Sequence, residues 1–577
     1  MEAPMKARFQ AGIVAAVMMI APAVTGGCSR KAPPPDPGSR AKELAEHSAE
    51  FKRQLIKVAD GVYSAVGFGL ANSILLEGKD GLIIVDTMES AEAAADVKKA
   101  FDGVSSKPLK AVVLTHFHPD HVFGAGVFIE NKKIDIYSHE KTLAELDRIT
   151  TLTQEVTYRR AMRMFGTYLG RGEMENCGIG PSLRFDDKAT MAYRRPTKTF
   201  AGERFTLKAA GLKLELIHMP GETDDQIMVW MPDRKILICG DNYYKSFPNL
   251  YTIRGTKYRD VRVWARSLER MRGLGAEHLV PCHSRPVSGR ERINEVLSDY
   301  RDAIQFVHDQ TVRGINRGLT PEELVRFVKL PSHLAEKPYL REHYGTVAWS
   351  VLNIFNGYLG WFGGDSARLD PLPPKEKAGR MARLAGGEGK LMAEARRALH
   401  AGEHQWALEL SEYLLALKPN DKSRLKLRAE ALRARAAREG NANARNYYFS
   451  QAMEAEGKLK LTRPSVSPDV VKRVPLSAIF AAMGAKLDPE KSKDVVKTAA
   501  FRFTDTGEAW TVQVRRGVAF IEPAFPAKPD LVIVVPASLW KEIAAGIKNP
   551  AAAFARGDVK IEGGVMEAVK FLRLFGD

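Results

Sequence analysis

Three imidazoles and a carboxylate fall within six consecutive positions, His116-Phe117-His118-Pro119-Asp120-His121, directly after the largely apolar run Lys110-Ala111-Val112-Val113-Leu114-Thr115. A short apolar run of this kind reads as a buried strand, so the cluster stands at a strand's carboxyl end. Core packing gives no reason for such a density of histidine, whereas metal coordination does, because imidazole nitrogen and carboxylate oxygen are ligands that divalent zinc takes. A tight loop turns His116 and His118 to one side and Asp120 and His121 to the other, which suits two adjacent ions. The fold must therefore bring a strand end to a shared buried centre.

The surrounding pattern is α/β. From Ile56 to Thr87 short β-rich runs alternate with glycines, Ser90 to Phe101 has helical spacing, and strand runs recur at Lys213–Ile217, Gln226–Met231, Lys235–Cys239 and His278–Val280. In α/β folds the carboxyl ends of strands border the ligand crevice, where residues distant in sequence converge. At 577 residues the chain is too long for one core, which predicts about three domains. After about Asp299 the pattern turns helical, and Ala393 to Arg438 reads as paired helices much like a tetratricopeptide hairpin. Past Arg463-Pro464 alternating strand runs return at Trp510–Val514 and Leu531–Val535. The predicted organisation is a signal peptide over 1–28, a linker over 29–49, an α/β catalytic domain over 50–298, an α-helical domain over 299–462 and an α+β domain over 463–577. The last is either a plain structural module or a pocket for a lipid or alkyl chain.

Lys6 and Arg8 precede an apolar run from Ala11 to Val24, too short to span a bilayer permanently, which predicts export. Gly27 before Cys28 fits a bacterial lipoprotein cleavage site, although Thr25 stands where such sites usually carry Leu, so a periplasmic form and a form anchored through lipidated Cys28 both stay open. The remaining Cys177, Cys239 and Cys282 cannot make a disulfide framework, and Cys239 and Cys282 read as small buried thiols at strand ends. A formal charge of +17 points to nucleic acid, an anionic membrane surface or an anionic substrate, and export argues against nucleic acid.

The cluster matches the HxHxDH motif of the metallo-β-lactamase superfamily, and further segments follow in that superfamily's order. Pro220-Gly221-Glu222-Thr223 resembles its PGHT turn with glutamate in the histidine's place, with His218, Asp224 and Asp225 as neighbouring alternatives. Asp241 ends a strand where that fold places a bridging carboxylate, and His283 follows another strand as the final ligand. The resemblance implies an αββα sandwich with two Zn2+ per chain held by His116, His118, Asp120, His121, Glu222, Asp241 and His283.

Within that superfamily the chain resembles the alkyl sulfatases. Asn249-Leu250-Tyr251-Thr252-Ile253-Arg254-Gly255 is similar to their NLYTxRG signature, and Tyr358-Leu359-Gly360-Trp361-Phe362-Gly363-Gly364 to their YLGWxxG. The helical hairpins resemble their dimerisation domain, and Gly557 to Gly564 their sterol-carrier-like C-terminal domain. The resemblance implies a homodimer that hydrolyses alkyl sulfate esters to alcohol and inorganic sulfate with metal-activated water, its C-terminal domain accepting the chain. Asp120, Asp241 and Arg254 would be catalytic, with Arg254 on the sulfate group. Arg259 is a second substrate-binding candidate, equally explicable as a surface charge near Asp260. Thr167 is a third, ending Met164-Phe165-Gly166-Thr167 where the family has MYGN. The chain departs from the family in carrying Asp241 where a glutamate of AEN is usual, and in a shorter stretch after Glu222. Two other readings stay open: hydrolysis of another ester or a β-lactam, and an exported lipid-binding or scaffold protein with a relict site.

Overall fold

Strands apolar at every position are stable only when both faces are covered, and β4 (Leu82–Val85) and β10 (Ile227–Met231) are buried throughout. The computed structural model describes residues 37–130, 132–170, 172–461 and 468–576; the leader over 1–28 with Cys28, and the Arg463-Pro464 break, lie outside them. Among the described residues, β1 (Gln54–Ala59), β2 (Val62–Val66), β3 (Ser73–Glu77), β4, β5 (Leu109–Val113), β6 (Asp135–His139) and β7 (Lys198–Phe200) form a seven-stranded sheet in chain order. It is antiparallel up to β4 and parallel from β4 to β7. A six-stranded sheet runs β13-β12-β11-β10-β9-β8, from β8 (Arg204–Ala209), β9 (Leu212–His218), β10, β11 (Ile236–Ile238), β12 (His278–Val280) and β13 (Val287–Ser288).

The pleat decides what each face meets. Ile74, Ile83, Val85 and Val113 of the first sheet close against Leu216, Ile227, Val229 and Ile238 of the second. The alternate residues Leu75, Ile84 and Val112 face outward under Val97 and Phe101 of the helix Ala91–Asp102, whose start is fixed by Ser90 accepting from the Ala93 amide. On the other side Met228, Trp230 and Leu279 lie beneath Trp264 and Leu268 of the helix Val261–Gly273 and Tyr300 and Ile304 of the helix Arg290–Ile315. The layers are therefore helix, sheet, sheet, helix, as the resemblance implies.

Two expected boundaries shift. The border at 298/299 falls inside the continuous helix Arg290–Ile315, whose apolar stripe of Ile293, Leu297, Tyr300, Ile304 and Val307 covers the second sheet without interruption. The linker over 29–49 does not extend through its described part, because Pro37–His47 is helical and Ser48–Phe51 is a 3-10 turn. Leu44 is buried there, the Asn176 amide donates to Leu44 O (2.8 Å) and Ser48 Oγ (2.9 Å), and His47 stacks on His343 at 4.4 Å. These distant contacts hold a segment whose own sequence is too polar to announce a helix.

Beyond the sandwich, the helices Glu388–His400, His404–Leu417 and Lys422–Ala436 pair through Leu391, Ala395, Leu410, Leu414 and Leu427. The helix Ala442–Ala455 returns to the sandwich and is clamped to the helix Gln154–Phe165 by Arg163 and Glu454, 2.9 Å apart. The C-terminal sheet, ordered β16-β15-β14-β17-β18, is built from β14 (Val496–Phe503), β15 (Ala509–Arg515), β16 (Val518–Glu522), β17 (Leu531–Val535) and β18 (Lys560–Glu562). Among the described residues no helix is long and apolar enough to cross a membrane.

The sandwich makes its own test. Leu268→Ala empties a fully buried site between the second sheet and its helices. It is expected to cost about 2–5 kcal/mol, read from the denaturant midpoint of unfolding.

Candidate metal centre

Four strand ends supply the centre: His116, His118, Asp120 and His121 follow β5, Glu222 lies in the β9–β10 loop, Asp241 follows β11 and His283 follows β12. Parallel pairing of β11 with β12 puts Asp241 beside His283, and the short helix Pro119–Val122 turns Asp120 and His121 back toward them. Asp241 Oδ2 is 3.4 Å from His116 Nε2, 3.4 Å from His121 Nε2, 3.2 Å from His283 Nε2 and 4.0 Å from His118 Nδ1. Asp120 Oδ2 is 3.5 Å from both His121 Nε2 and His283 Nε2. The donor atoms of His118, Glu222 and Asp241 form one compact group, and those of Asp120, His121 and His283 another.

These residues fit divalent metal. A tetrahedron of ligands at zinc's bond lengths has edges of about 3.3 Å, the spacing seen around Asp241 Oδ2. His121 Nε2, His283 Nε2, Asp241 Oδ1 and Glu222 Oε2 are buried with no hydrogen-bond partner, although an unpaired buried polar group costs about 1–3 kcal/mol. The opposite edges of the rings are fixed. Asp86 Oδ2 accepts from His121 Nδ1 at 2.7 Å and from Thr115 Oγ1 at 2.7 Å, and Leu70 O accepts from His283 Nδ1 at 2.9 Å, so both Nε2 atoms face the centre. Asn242 Oδ1 accepts from the Glu222 amide at 3.1 Å and pins its loop.

Burial and charge oppose each other here. Burial would raise Asp241, but His283, His121 and His116 hold it well below the usual carboxylate range. Burial would lower His121, but Asp241, Asp120 and Asp86 raise it well above its ordinary value. Glu222 is raised by burial in spite of Arg259, and His118 is driven well down by burial and by Arg254.

Of the alternatives to Glu222, His218 stacks on His139 at 3.9 Å and bonds Asp224 O, while Asp224 pairs with Lys141 at 2.8 Å. Arg254 Nη2 donates to His118 Nε2 at 2.9 Å. Arg259 is not a surface charge: its side chain is buried, Nη1 lies 2.9 Å from Glu222 Oε1 and also donates to Asn249 O, while Asp260 instead caps the helix Val261–Gly273. Thr167, expected as a substrate contact, does not line the cavity beside the centre; it follows left-handed Gly166 at the end of the helix Gln154–Phe165. Cys282 lies beside Asp86 and His121, yet burial raises its thiol, like that of Cys239, far above neutrality.

A cavity of about 110 Å³ opens on His118, Asp120 and Arg254 and is walled by Phe117, Phe123, Met162, Phe165 and Leu183. The apolar space expected of the C-terminal domain thus begins inside the sandwich. A larger space of about 750 Å³ continues between the turn at 150–156 and the C-terminal residues Val470, Ile479 and Ala544, and both spaces meet Thr150, Gln154 and Met191. Sequence reasoning missed Asp86 and Glu89. Asp86 had a signal, a carboxylate ending an apolar strand next to the one that delivers the histidines; Glu89 had none, since its burial depends on Leu70 N (3.0 Å) and Arg184 N (2.8 Å) arriving from elsewhere.

Residues 66–283 match the metallo-beta-lactamase superfamily, 320–458 the alkyl sulfatase dimerisation family and 464–577 the alkyl sulfatase C-terminal family. The chain is 40% identical over 520 residues to a linear primary-alkylsulfatase of Pseudomonas sp. (strain ATCC 19151), covering 87% of this chain and 98% of that one. It is 28% identical to an (R)-specific secondary-alkylsulfatase of Pseudomonas sp., over 88% of this chain and 79% of that one. The solved structure of the stereoselective inverting sec-alkylsulfatase Pisa1 from Pseudomonas sp. superposes with a TM-score of 0.86 at 25% identity, over 92% of this chain and 86% of that one.

Asp86→Asn removes the acceptor that orients His121 and is expected to weaken metal binding by about 10–100-fold, measured by competition with a chromogenic chelator. Burial raises Glu89 to about 7, above its ordinary 4.5, so its stabilising contribution is complete below pH 4.5 and is lost as pH rises through about 7. The wild type should therefore lose about 3 kcal/mol between pH 5 and pH 8 that Glu89→Gln does not, seen as a steeper fall in unfolding temperature.

Proposed function

Because the chain belongs to the alkyl sulfatase family on the metallo-β-lactamase fold, we propose that it is a zinc-dependent hydrolase cleaving alkyl sulfate esters to an alcohol and inorganic sulfate. His116, His118 and Glu222 would hold one zinc, Asp120, His121 and His283 a second, with Asp241 shared between them. The observation that carries the reading is an apolar cavity opening onto this convergence of imidazoles and carboxylates where Arg254 stands. Two zinc ions bound there would supply Lewis acidity and bring the pKa of a water molecule down toward neutrality.

The chain's own residues do the rest. The Arg254 guanidinium, beside His118 and on the cavity wall, presents a planar fork that matches two oxygens of a sulfate group. Arg259 holds the Glu222 carboxylate in place with Nη1 from outside the cavity lining. Phe117, Phe123 and Phe165 take the first part of the alkyl chain and exclude water from the ester. A longer chain passes Thr150 and Met191 toward the C-terminal domain. Exposed Tyr358, Leu359, Trp361 and Leu369 lie in the segment that matches the dimerisation family and supply an apolar face for a homodimer. The leader fits export, with Cys28 as the site of any lipid anchor.

Purified protein is expected to release inorganic sulfate from dodecyl sulfate, to lose that activity on chelation, and to regain it with zinc. Asp120→Ala should abolish turnover and Arg254→Ala lower kcat/KM by about 10²–10³. Full zinc loading with no sulfate release from any alkyl chain length would overturn the reading.

A further inference from the structure

Helices cover the C-terminal sheet on one face only; on the other, the loop at Ala524 and Phe525 lies over Thr511 and Ala500, and the β16 edge stays open. Phe501, Phe503, Val512 and Ile533 lie under the helices Leu476–Gly484 and Ala537–Ala544, and the first of these helices packs against Lys141–Thr151 of the sandwich. The alternate residues point the other way, away from the metal centre. There Val496 is 63% exposed, Val518 65% and Phe520 58%, and Phe525 follows in the next loop at 41%. Pairing across the strands sets Arg515 between Val496 and Val518 and Gln513 beside Phe520. The Arg502 guanidinium lies 4.6 Å over the Phe525 ring.

Charge on the β14 to β16 part of this face is mainly basic. Arg502, Arg515 and Lys528 make no ion pair among the described residues, whereas Lys548, Arg556 and Lys570 of the same domain lie 3.1 Å, 2.8 Å and 2.9 Å from carboxylates. Glu522 is the single carboxylate that β14 to β16 turn to this side, and at the far edge of the sheet β18 adds exposed Glu562 and Lys560. Aromatic and aliphatic tips set among unneutralised arginines are the chemistry of a protein surface that enters the headgroup layer of an anionic bilayer. A second copy is a poorer occupant, because two-fold pairing would bring arginine against arginine.

We infer that the open face of the C-terminal sheet, with Phe520 and Phe525 as its apolar tips and Arg502 and Arg515 as its charges, docks on an anionic lipid surface. Its use rests on the proposed activity: anionic amphiphiles partition into such surfaces, and docking would hold the enzyme where they collect.

The test is sedimentation with vesicles of the chain from Ser29 onward, which contains the whole unit from Pro37 and lacks both leader and Cys28. Vesicles of phosphatidylcholine alone are compared with phosphatidylcholine mixed with phosphatidylglycerol. Binding is expected only to the mixed vesicles and should fall with salt. Phe520→Ser with Phe525→Ser, and separately Arg502→Glu with Arg515→Glu, should each weaken it by about tenfold or more, with unfolding temperature and hydrolysis of a short soluble sulfate ester unchanged. Equal binding to both vesicles, binding untouched by either pair, or no binding would overturn the inference. So would a smaller oligomer by light scattering in the variants, which would make the face a contact between copies. Hydrolysis is read separately, so an unsubstituted chain that hydrolyses the ester but binds neither vesicle sinks this inference and leaves the proposed activity standing.

Discussion

A carboxylate with almost no access to water stands against four imidazoles, and the rest of the molecule is arranged so that this is tolerable. Asp241 lies within 4.0 Å of His116, His118, His121 and His283, and none of these groups has solvent to fall back on. Uncompensated charge at such depth costs several kcal/mol per ion, so the cluster is stable only with its charges matched and its ring orientations fixed. Asp86, Leu70 O and Thr115 supply the orientation from behind, and Arg259 matches Glu222.

The sandwich makes that arrangement possible by deciding which strand ends meet. The two sheets close on an apolar interior of β-branched and leucine side chains, so the ends of β5, β9, β11 and β12 are carried by rigid supports. The same layering sets the cavity. The helix Gln154–Phe165 forms part of its apolar wall and is itself braced from outside by the helix Ala442–Ala455, so the helical domain reaches the substrate space through one shared element. A hydrolase for an amphiphile needs this adjacency: a polar centre for the ester and a dry channel for the chain, meeting at a guanidinium.

Much of this is written locally in the chain. The cluster from His116 to His121 and the apolar strands are short-range signals that give the α/β pattern, and the αββα layering comes with the resemblance that cluster carries. What escaped was set by partners far away in sequence. Arg259 looks like a surface residue beside Asp260 until Glu222 and Asn249 close over it, and Glu89 is unremarkable until Leu70 and Arg184 bring their amides to it. Thr167 was placed by motif alone, and the turn at Gly166 carries it off the cavity. The helix Pro37–His47 was hidden because its stability comes from Asn176 and His343 rather than from its own pattern.

X-ray absorption at the zinc edge of the purified protein addresses the central claim most directly. The account predicts two zinc ions per chain, nitrogen and oxygen ligands with imidazole scattering, no sulfur, and a zinc–zinc shell at about 3.5–4 Å. A sulfur shell, which would bring in Cys239 or Cys282, or an isolated zinc with no second metal nearby, would contradict it.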